Sequence, residues 1–165
     1  EDRIGSALRG ENPTMIAKMK SGFVFLRDSQ FIPCWCILTA YPQVRELNDL
    51  DFEKRTEFLT DMQILGEAIA AATKPVRMNY SIYGNKDNYL HCHVYPRYDW
   101  EGSERLQHPV WLYPEECWQD PKYFIDETHL TLAETISQAL ENLYFKYYRT
   151  SMEKLNGNLE VVKTV

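Results

Sequence analysis

The apolar residues of this chain change rhythm several times, and each change marks an element. "GFVFLRD" at residues 22–28 is rich in strand formers and runs into the polar turn "DSQ". "FIPCWCILTA" at 31–40 resumes as a second strand, with Pro33 placing its start near an edge or a bulge. Together they predict a β-hairpin. From Asp51 to about Thr73 the period becomes helical, with Leu59, Met62, Leu65, Ile69 and Ala72 recurring at three- and four-residue steps. Asp49 or Asp51 can cap this helix, Glu53 suits its first turn, and Pro75 ends it.

Alternation then returns. "VRMNYSIYG" at 76–84 predicts a strand, "NKDN" a polar turn of hairpin length, and "YLHCHVY" at 89–95 the antiparallel partner, stopped by Pro96. Residues 97–126 carry Pro109, Pro114 and Pro121 with several aromatics and no clear period. The stretch 101–126 reads as a long loop, either functional or packed as a lid. A helix is expected over 127–153, with Thr131 and Glu134 at capping-box spacing and Leu132, Ile136, Leu140, Leu143 and Tyr147 on one face. "LEVVKTV" closes the chain as a last strand or a frayed tail. The order predicts an α+β fold: an antiparallel sheet of about five strands with two main helices, in one domain over 1–165 with an N-terminal extension at 1–20.

Length and charge narrow the classes. The 165 residues suffice for one sizeable core. A net charge of −6 with no Lys/Arg stripe argues against a nucleic-acid scaffold, yet leaves room for a small anion held by a local cluster of donors. No run approaches the ~18 to 20 apolar residues that span a bilayer. "EDRIGSALRGENPTM" is charged and lacks the apolar core of a secretory signal, so a cytoplasmic location is expected. Cys34, Cys36, Cys92 and Cys117 form no C-x-x-C pair and read as reduced, mostly buried thiols.

The candidate chemistry lies in "YLHCHVYPRY", residues 89–98. Side chains alternate on a strand, so Tyr89, His91 and His93 share one face, with successive members roughly 6.5 Å apart. Two imidazoles at that spacing can ligate a metal, if Cys34 and Cys36 or others complete the set. They can also act on a phosphate, one as nucleophile and the other as its stabilising partner. Or they can simply occupy a solvated sheet face. The spacing alone leaves all three open.

The surrounding residues resemble a known family. "NYSIYGNKDNYLHCHVYPRY" is similar to the signature of the histidine-triad (HIT) superfamily, His-φ-His-φ-His-φ-φ followed by Pro-Arg. Pro96-Arg97 sets the register, so that His93 takes the third histidine position, His91 the middle one and Tyr89 the first. Upstream, "FLRDSQFIPCWCILTAYPQVRELNDLDFEKRTEFLTDM" resembles the family's first hairpin and its run into the long helix. The likeness is strongest to a bacterial branch related to diadenosine tetraphosphate hydrolases. It covers roughly residues 20 to 100, and "HPVW" further on has a counterpart there.

The resemblance implies hydrolysis or nucleotidyl transfer at the α-phosphate of a nucleotide conjugate through a nucleotidyl-histidine. It implies no cofactor and no metal at the chemical centre, a small-molecule nucleotide as partner, no nucleic acid or membrane, and a homodimer. By position His91 would be the nucleophile, with its Nδ1–H on a backbone carbonyl, and His93 would donate to phosphate oxygens. Asn85 would be a polar contact near the phosphate or ribose. Lys86 and Arg97 would supply local positive potential, and Trp35 would stack on a base or lie buried. The chain departs from the pattern at Tyr89, a neutral phenol that donates one hydrogen bond but adds no charge. It departs again at "PCWC", which offers no histidine. A non-catalytic nucleotide binder and, further off, a His/Cys metalloprotein remain the alternatives. His108 and His129 are expected in capping or exposed positions, and Trp111, Tyr113 and Trp118 either as a lid or as packing.

Overall fold

The computed structural model describes residues 2–149, 152–155 and 158–161. Helix α1 (Arg3–Leu8) precedes strands β1 (Met15–Lys18), β2 (Gly22–Leu26) and β3 (Cys36–Ala40); then come α2 (Phe52–Thr73), β4 (Arg77–Ser81) and β5 (His91–Arg97). Two short helices, α3 (Ser103–Leu106) and α4 (Glu115–Gln119), lead to the long α5 (Glu127–Tyr148) and strands β6 (Met152–Leu155) and β7 (Asn158–Val161).

Among the described residues, seven strands form one sheet in the order β4-β5-β3-β2-β1-β7-β6. The first five neighbours are antiparallel throughout, as expected; β7 joins β1 in parallel and carries β6 beyond it. Of the closing stretch, residues 159–161 therefore fall in a strand, and 162–165 lie outside the described residues.

Several boundaries move, each for a local reason. Residues 31–35 form a turn rather than the start of the second strand. Gln30 staples it: its Nε2 donates to the carbonyls of Arg27 (2.7 Å) and Trp35 (2.9 Å), while its Oε1 accepts from Cys34 N (2.8 Å). Strand β5 runs through Pro96 to Arg97. Pairing with β4 continues past the proline, for Met78 pairs with Pro96 and Val76 N donates to the Arg97 carbonyl (3.0 Å). Helix α2 keeps its expected span, with Asp51 as the cap accepting from Lys54 N. Its buried face, however, is Phe58, Asp61, Ile64, Leu65, Ala68 and Ile69, which leaves Leu59 exposed. Helix α5 starts one turn before the Thr131/Glu134 spacing. Asp126 caps it, accepting from His129 N, and Thr131 sits within the helix bonded to the Glu127 carbonyl. The helix also ends earlier than 153, at Tyr148, where Arg149 turns left-handed (φ 53) and residues 152–153 enter β6.

Alternation along the strands separates two packing faces. Val24, Leu26, Cys36, Leu38, Cys92 and Val94 pack with Phe58, Leu65 and Ile69 of α2 and Ile136, Leu140 and Tyr144 of α5 in the main core. On the opposite face, Phe23 and Phe25 pack with Ala7 of α1. Beside them, Phe31, Ile32, Trp35 and Tyr95 pack with Val110, Trp111, Tyr113, Trp118 and Tyr123. His91 and His93 stand on this second face, for they pair across the strands with Thr39 and Ile37.

Candidate active site

Each imidazole is fixed by one hydrogen bond to a group that can play a single role. His91 is 7% exposed, and its Nδ1 lies 2.8 Å from the Tyr89 carbonyl. A carbonyl only accepts, so Nδ1 carries the proton, and Nε2 of the neutral ring is left with a lone pair. His93 has the reverse arrangement. The indole Nε1–H of Trp35 donates to its Nδ1 at 3.0 Å. An indole only donates, so Nδ1 must hold the lone pair and the proton of neutral His93 sits on Nε2.

Burial pushes the His93 pKa down to about 3, with His91 and Arg27 adding to the effect. Protonation would also set an N–H against the indole N–H. Both arguments keep His93 neutral near pH 7. The two rings approach edge to face, centroids 5.2 Å apart. One ring thus offers a lone pair beside another that offers a donor.

Both histidines line a cavity of about 1100 Å³. Ile37 and His93 come to it from neighbouring strands. Tyr83, Gly84, Asn85, Lys86 and Asp87 reach it from the β4–β5 connection, which Gly84 turns with φ +74, a conformation that side chains disfavour. Arg3 of α1, Arg27 at the end of β2, and Trp111 and Trp118 from the covering segment also line it.

That segment, residues 98–126, is not an open loop. Short helical turns fold it onto the second sheet face, held by the Ser29 Oγ bond to the Cys117 carbonyl (3.1 Å) and by Gln30 N to the Tyr123 carbonyl (2.6 Å). Trp111 and Trp118 stack nearly parallel, 5.3 Å between centroids, and Trp111 meets His93 edge-on at 5.2 Å. Both tryptophans therefore serve packing and cavity wall at once. Tyr113 instead packs on Phe31 and donates to Glu101 (2.7 Å).

The expected site residues divide. His91, His93, Asn85 and Lys86 line the cavity together. Arg97 does not. It is 2% exposed, its guanidinium pairs with the buried Glu101 at 3.0 Å, and it donates to the carbonyls of His108 (2.9 Å) and Arg105 (2.8 Å). Its charge fastens the covering segment and is not available to a phosphate. Trp35 is also not a stacking surface for a base, being fully buried, with its N–H turned to His93. Tyr89 stands outside the cavity lining. Its ring tilts against His91 at 4.9 Å, and burial holds its phenol above the usual value, so it remains neutral. His108 is exposed with Nδ1 on the Glu104 carbonyl, and His129 completes the α5 capping box.

Cys34 and Cys36, the thiols expected to complete a metal set, belong with Cys92 to the helix-covered core and not to the face that carries the histidines. Among the described residues no group of three or more His, Cys, Asp or Glu side chains is gathered for a metal, which removes the proposed His/Cys set. Arg27 was missed by sequence reasoning. Its only signal was its place after an apolar strand, and its neighbours in space come from residues 35 and 118.

No helix among the described residues is long and apolar enough to cross a membrane. No protein-family profile matches the sequence, and no curated protein does. Solved structures do match. A histidine triad protein from Sinorhizobium meliloti superimposes with a TM-score of 0.65 at 22% identity, covering 76% of this chain and 87% of that one. A histidine triad protein from Marinobacter aquaeolei gives 0.65 at 24%, covering 78% and 89%. The diadenosine triphosphate hydrolase of Plasmodium falciparum, solved with cyclomarin A, gives 0.52 at 12%, covering 82% and 79%. The α+β fold, with its five antiparallel strands and packed helices, is the fold of histidine triad proteins.

Proposed function

We propose that this protein is a nucleotide hydrolase or nucleotidyl transferase acting at the α-phosphate of a nucleoside phosphate conjugate. The observation that carries the reading is the opposed wiring of the two rings: His91 Nδ1 on a carbonyl, His93 Nδ1 on an indole N–H. The histidine triad fold and its diadenosine triphosphate hydrolase example support the substrate class.

In the first step the His91 Nε2 lone pair attacks the α-phosphorus. An N–P bond forms, the bond from phosphorus to the leaving group breaks, and the electron pair departs with the leaving oxygen or, in a phosphoramidate, with the nitrogen, which takes a proton from solvent and leaves as the amine. The Tyr89 carbonyl keeps its bond to Nδ1–H as the ring gains positive character, and His93 Nε2–H donates to a non-bridging oxygen. In the second step water, or a phosphate-bearing acceptor, attacks phosphorus. The N–P bond breaks, its electron pair returns to Nε2, and a proton of the attacking water passes to solvent. Tyr89 contributes its backbone carbonyl, so the histidine-to-tyrosine departure leaves the nucleophile's own support intact.

The test is intact-mass spectrometry after mixing with adenosine 5′-phosphoramidate and dinucleoside polyphosphates. A nucleotidyl adduct or turnover present in the wild type and absent in His91→Ala is expected. Nucleotide binding without adduct or product would favour the non-catalytic binder. The proposal includes a chain acting as one domain and pairing with a second copy, which sedimentation velocity would check.

A further inference from the structure

The second face of the sheet needs a fixed positive charge if it is to hold a polyanion, and most of its cations are already engaged. Arg97 is sequestered by Glu101 and two carbonyls. Arg3 pairs with Asp28. His93 is kept neutral by its burial and by the Trp35 donor. Lys86 lines the cavity but is exposed beside Asp87, which lines it too.

Arg27 differs from all of these. Its guanidinium lies over the rings of Trp35, at 4.7 Å, and Trp118, at 4.8 Å. Its backbone is pinned on both sides: its N–H donates to the Trp35 carbonyl at 3.0 Å, and its carbonyl accepts from Gln30. One of its N–H groups, on Nη1, donates to the Ser29 carbonyl at 3.0 Å. Among the described residues its other N–H groups have no protein acceptor, although the residue is half-buried and lines the cavity. Burial lowers its pKa only to about 10, so it stays charged at neutral pH. The two indoles flank the guanidinium carbon, and beyond the Nη1 bond to Ser29 its donors are uncommitted. That is a pre-organised fork for phosphate oxygens.

Its position relative to the histidines completes the argument. Trp35 presents its Nε1–H to His93 and a ring face to Arg27. A neutral donor beside the nucleophile and a permanent cation next to it are thus spaced by one indole. We infer that Arg27 binds a second phosphate group, beyond the one His91 attacks, and that the site selects nucleoside di- or polyphosphate conjugates over nucleoside monophosphate conjugates. This rests on the reading of His91 as nucleophile and names the substrate class for that same site. The acidic side chains of the lining, Asp28, Asp87 and Glu115, are all exposed, and Asp28 is paired with Arg3.

The test has a binding arm that does not need turnover. AMP and ADP are titrated against intrinsic tryptophan fluorescence in the wild type, Arg27→Met and Arg27→Lys. Arg27→Met keeps an unbranched side chain between the indoles, and Arg27→Lys keeps the charge without the fork; thermal melts check that both fold. ADP is expected to bind the wild type roughly ten- to a hundred-fold more tightly than AMP, the size of a charge-assisted hydrogen bond. That ratio should collapse to within ~3-fold in Arg27→Met and be intermediate in Arg27→Lys, with AMP affinity little changed. Equal binding of AMP and ADP to the wild type overturns the inference. So does an ADP preference that survives in Arg27→Met, or no binding of either nucleotide. A second arm compares kcat/KM on a dinucleoside polyphosphate and on adenosine 5′-phosphoramidate. If neither substrate turns over nor forms an adduct while the Arg27-dependent ADP preference holds, the catalytic reading fails and the phosphate site stands.

Discussion

The two faces of strand β5 treat polar groups in opposite ways. On the helix-covered face a carboxylate is enclosed for architecture. Asp61 is fully buried between α2, α5 and the β1–β2 turn, and accepts from Ser21 N (2.8 Å), Ser21 Oγ (2.6 Å) and the Tyr144 hydroxyl. Tyr144 in turn accepts from Lys20 N at 3.1 Å. Those donors close the network, and neither Asp61 nor Tyr144 lines the cavity beside the histidines. On the loop-covered face each histidine has one ring nitrogen tied to the protein and the other free to meet a ligand. A buried polar network satisfied throughout holds elements together; one satisfied by half can do chemistry.

The largest expected effects separate the faces. His91→Ala should lower kcat/KM by ~10³-fold or more, since the nucleophile itself is lost, with little change in stability. Asp61→Ala should do the converse. It orphans three buried donors at about 1 kcal/mol or more each, so a loss of about 3 kcal/mol is expected in urea titrations, with the AMP/ADP selectivity of the folded fraction unchanged. Loss of selectivity in Asp61→Ala at retained fold would break the division between the faces.

The division was only half legible in the sequence. Strand alternation placed His91 and His93 on one face and Cys92 and Val94 on the other, because period two is rigid on a pleated strand. The helix was harder. Leu59 and Met62 suggest an apolar stripe, but the buried arc is centred on Phe58, Leu65 and Ile69 and contains Asp61. A charged residue reads as outward unless its partners are known, and Ser21 and Tyr144 lie 40 and 83 residues away. Arg97 failed for the mirror-image reason. It stands close to the histidines in the chain, but apart from Asn79 its acceptors come from residues 101–108, a stretch with no periodicity to forecast a fold. For Trp35 the sequence leaves a stacking ring and a buried one both open, because nothing local indicates that an indole N–H will meet an imidazole across the sheet.

A smaller effect comes from pH, and its sign differs between the faces. The His93 pKa in the folded chain, about 3, lies below its ordinary 6.5. Between those values the unfolded chain binds more protons, so His93 makes stability rise with pH across this window and fall as acid is added. The Asp61 pKa is raised above 3.8 by burial, with the hydrogen bonds from Ser21 and Tyr144 opposing the shift. There the folded chain binds more protons, and stability from this group is full below 3.8 and lost as pH rises through the folded value. His93→Gln should therefore flatten the rise between pH ~3 and ~6.5, whereas Asp61→Asn should steepen the profile just above pH ~4. Denaturant titrations at a series of pH values measure both, and slopes changing in the same direction would contradict the assignment.

The smallest effect probes the contact that gives the loop-covered face its polarity. Trp35→Phe keeps an aromatic ring against Tyr95 and Arg27 but removes the donor to His93 Nδ1. Some stability is lost with the indole volume, about 1 to 2 kcal/mol, whatever the role of the hydrogen bond. The informative readout is the ring itself. With the indole in place, His93 is held with its proton on Nε2; without it, Nδ1 competes for that proton and the donor facing the substrate is present only part of the time. A change in the His93 tautomer ratio, read from ¹⁵N shifts of the imidazole, should accompany a fall of about tenfold in kcat, with KM nearly constant. If the tautomer stays on Nε2 and kcat is unchanged, Trp35 only fills space, and the opposed wiring of the two histidines is a consequence of packing rather than its purpose.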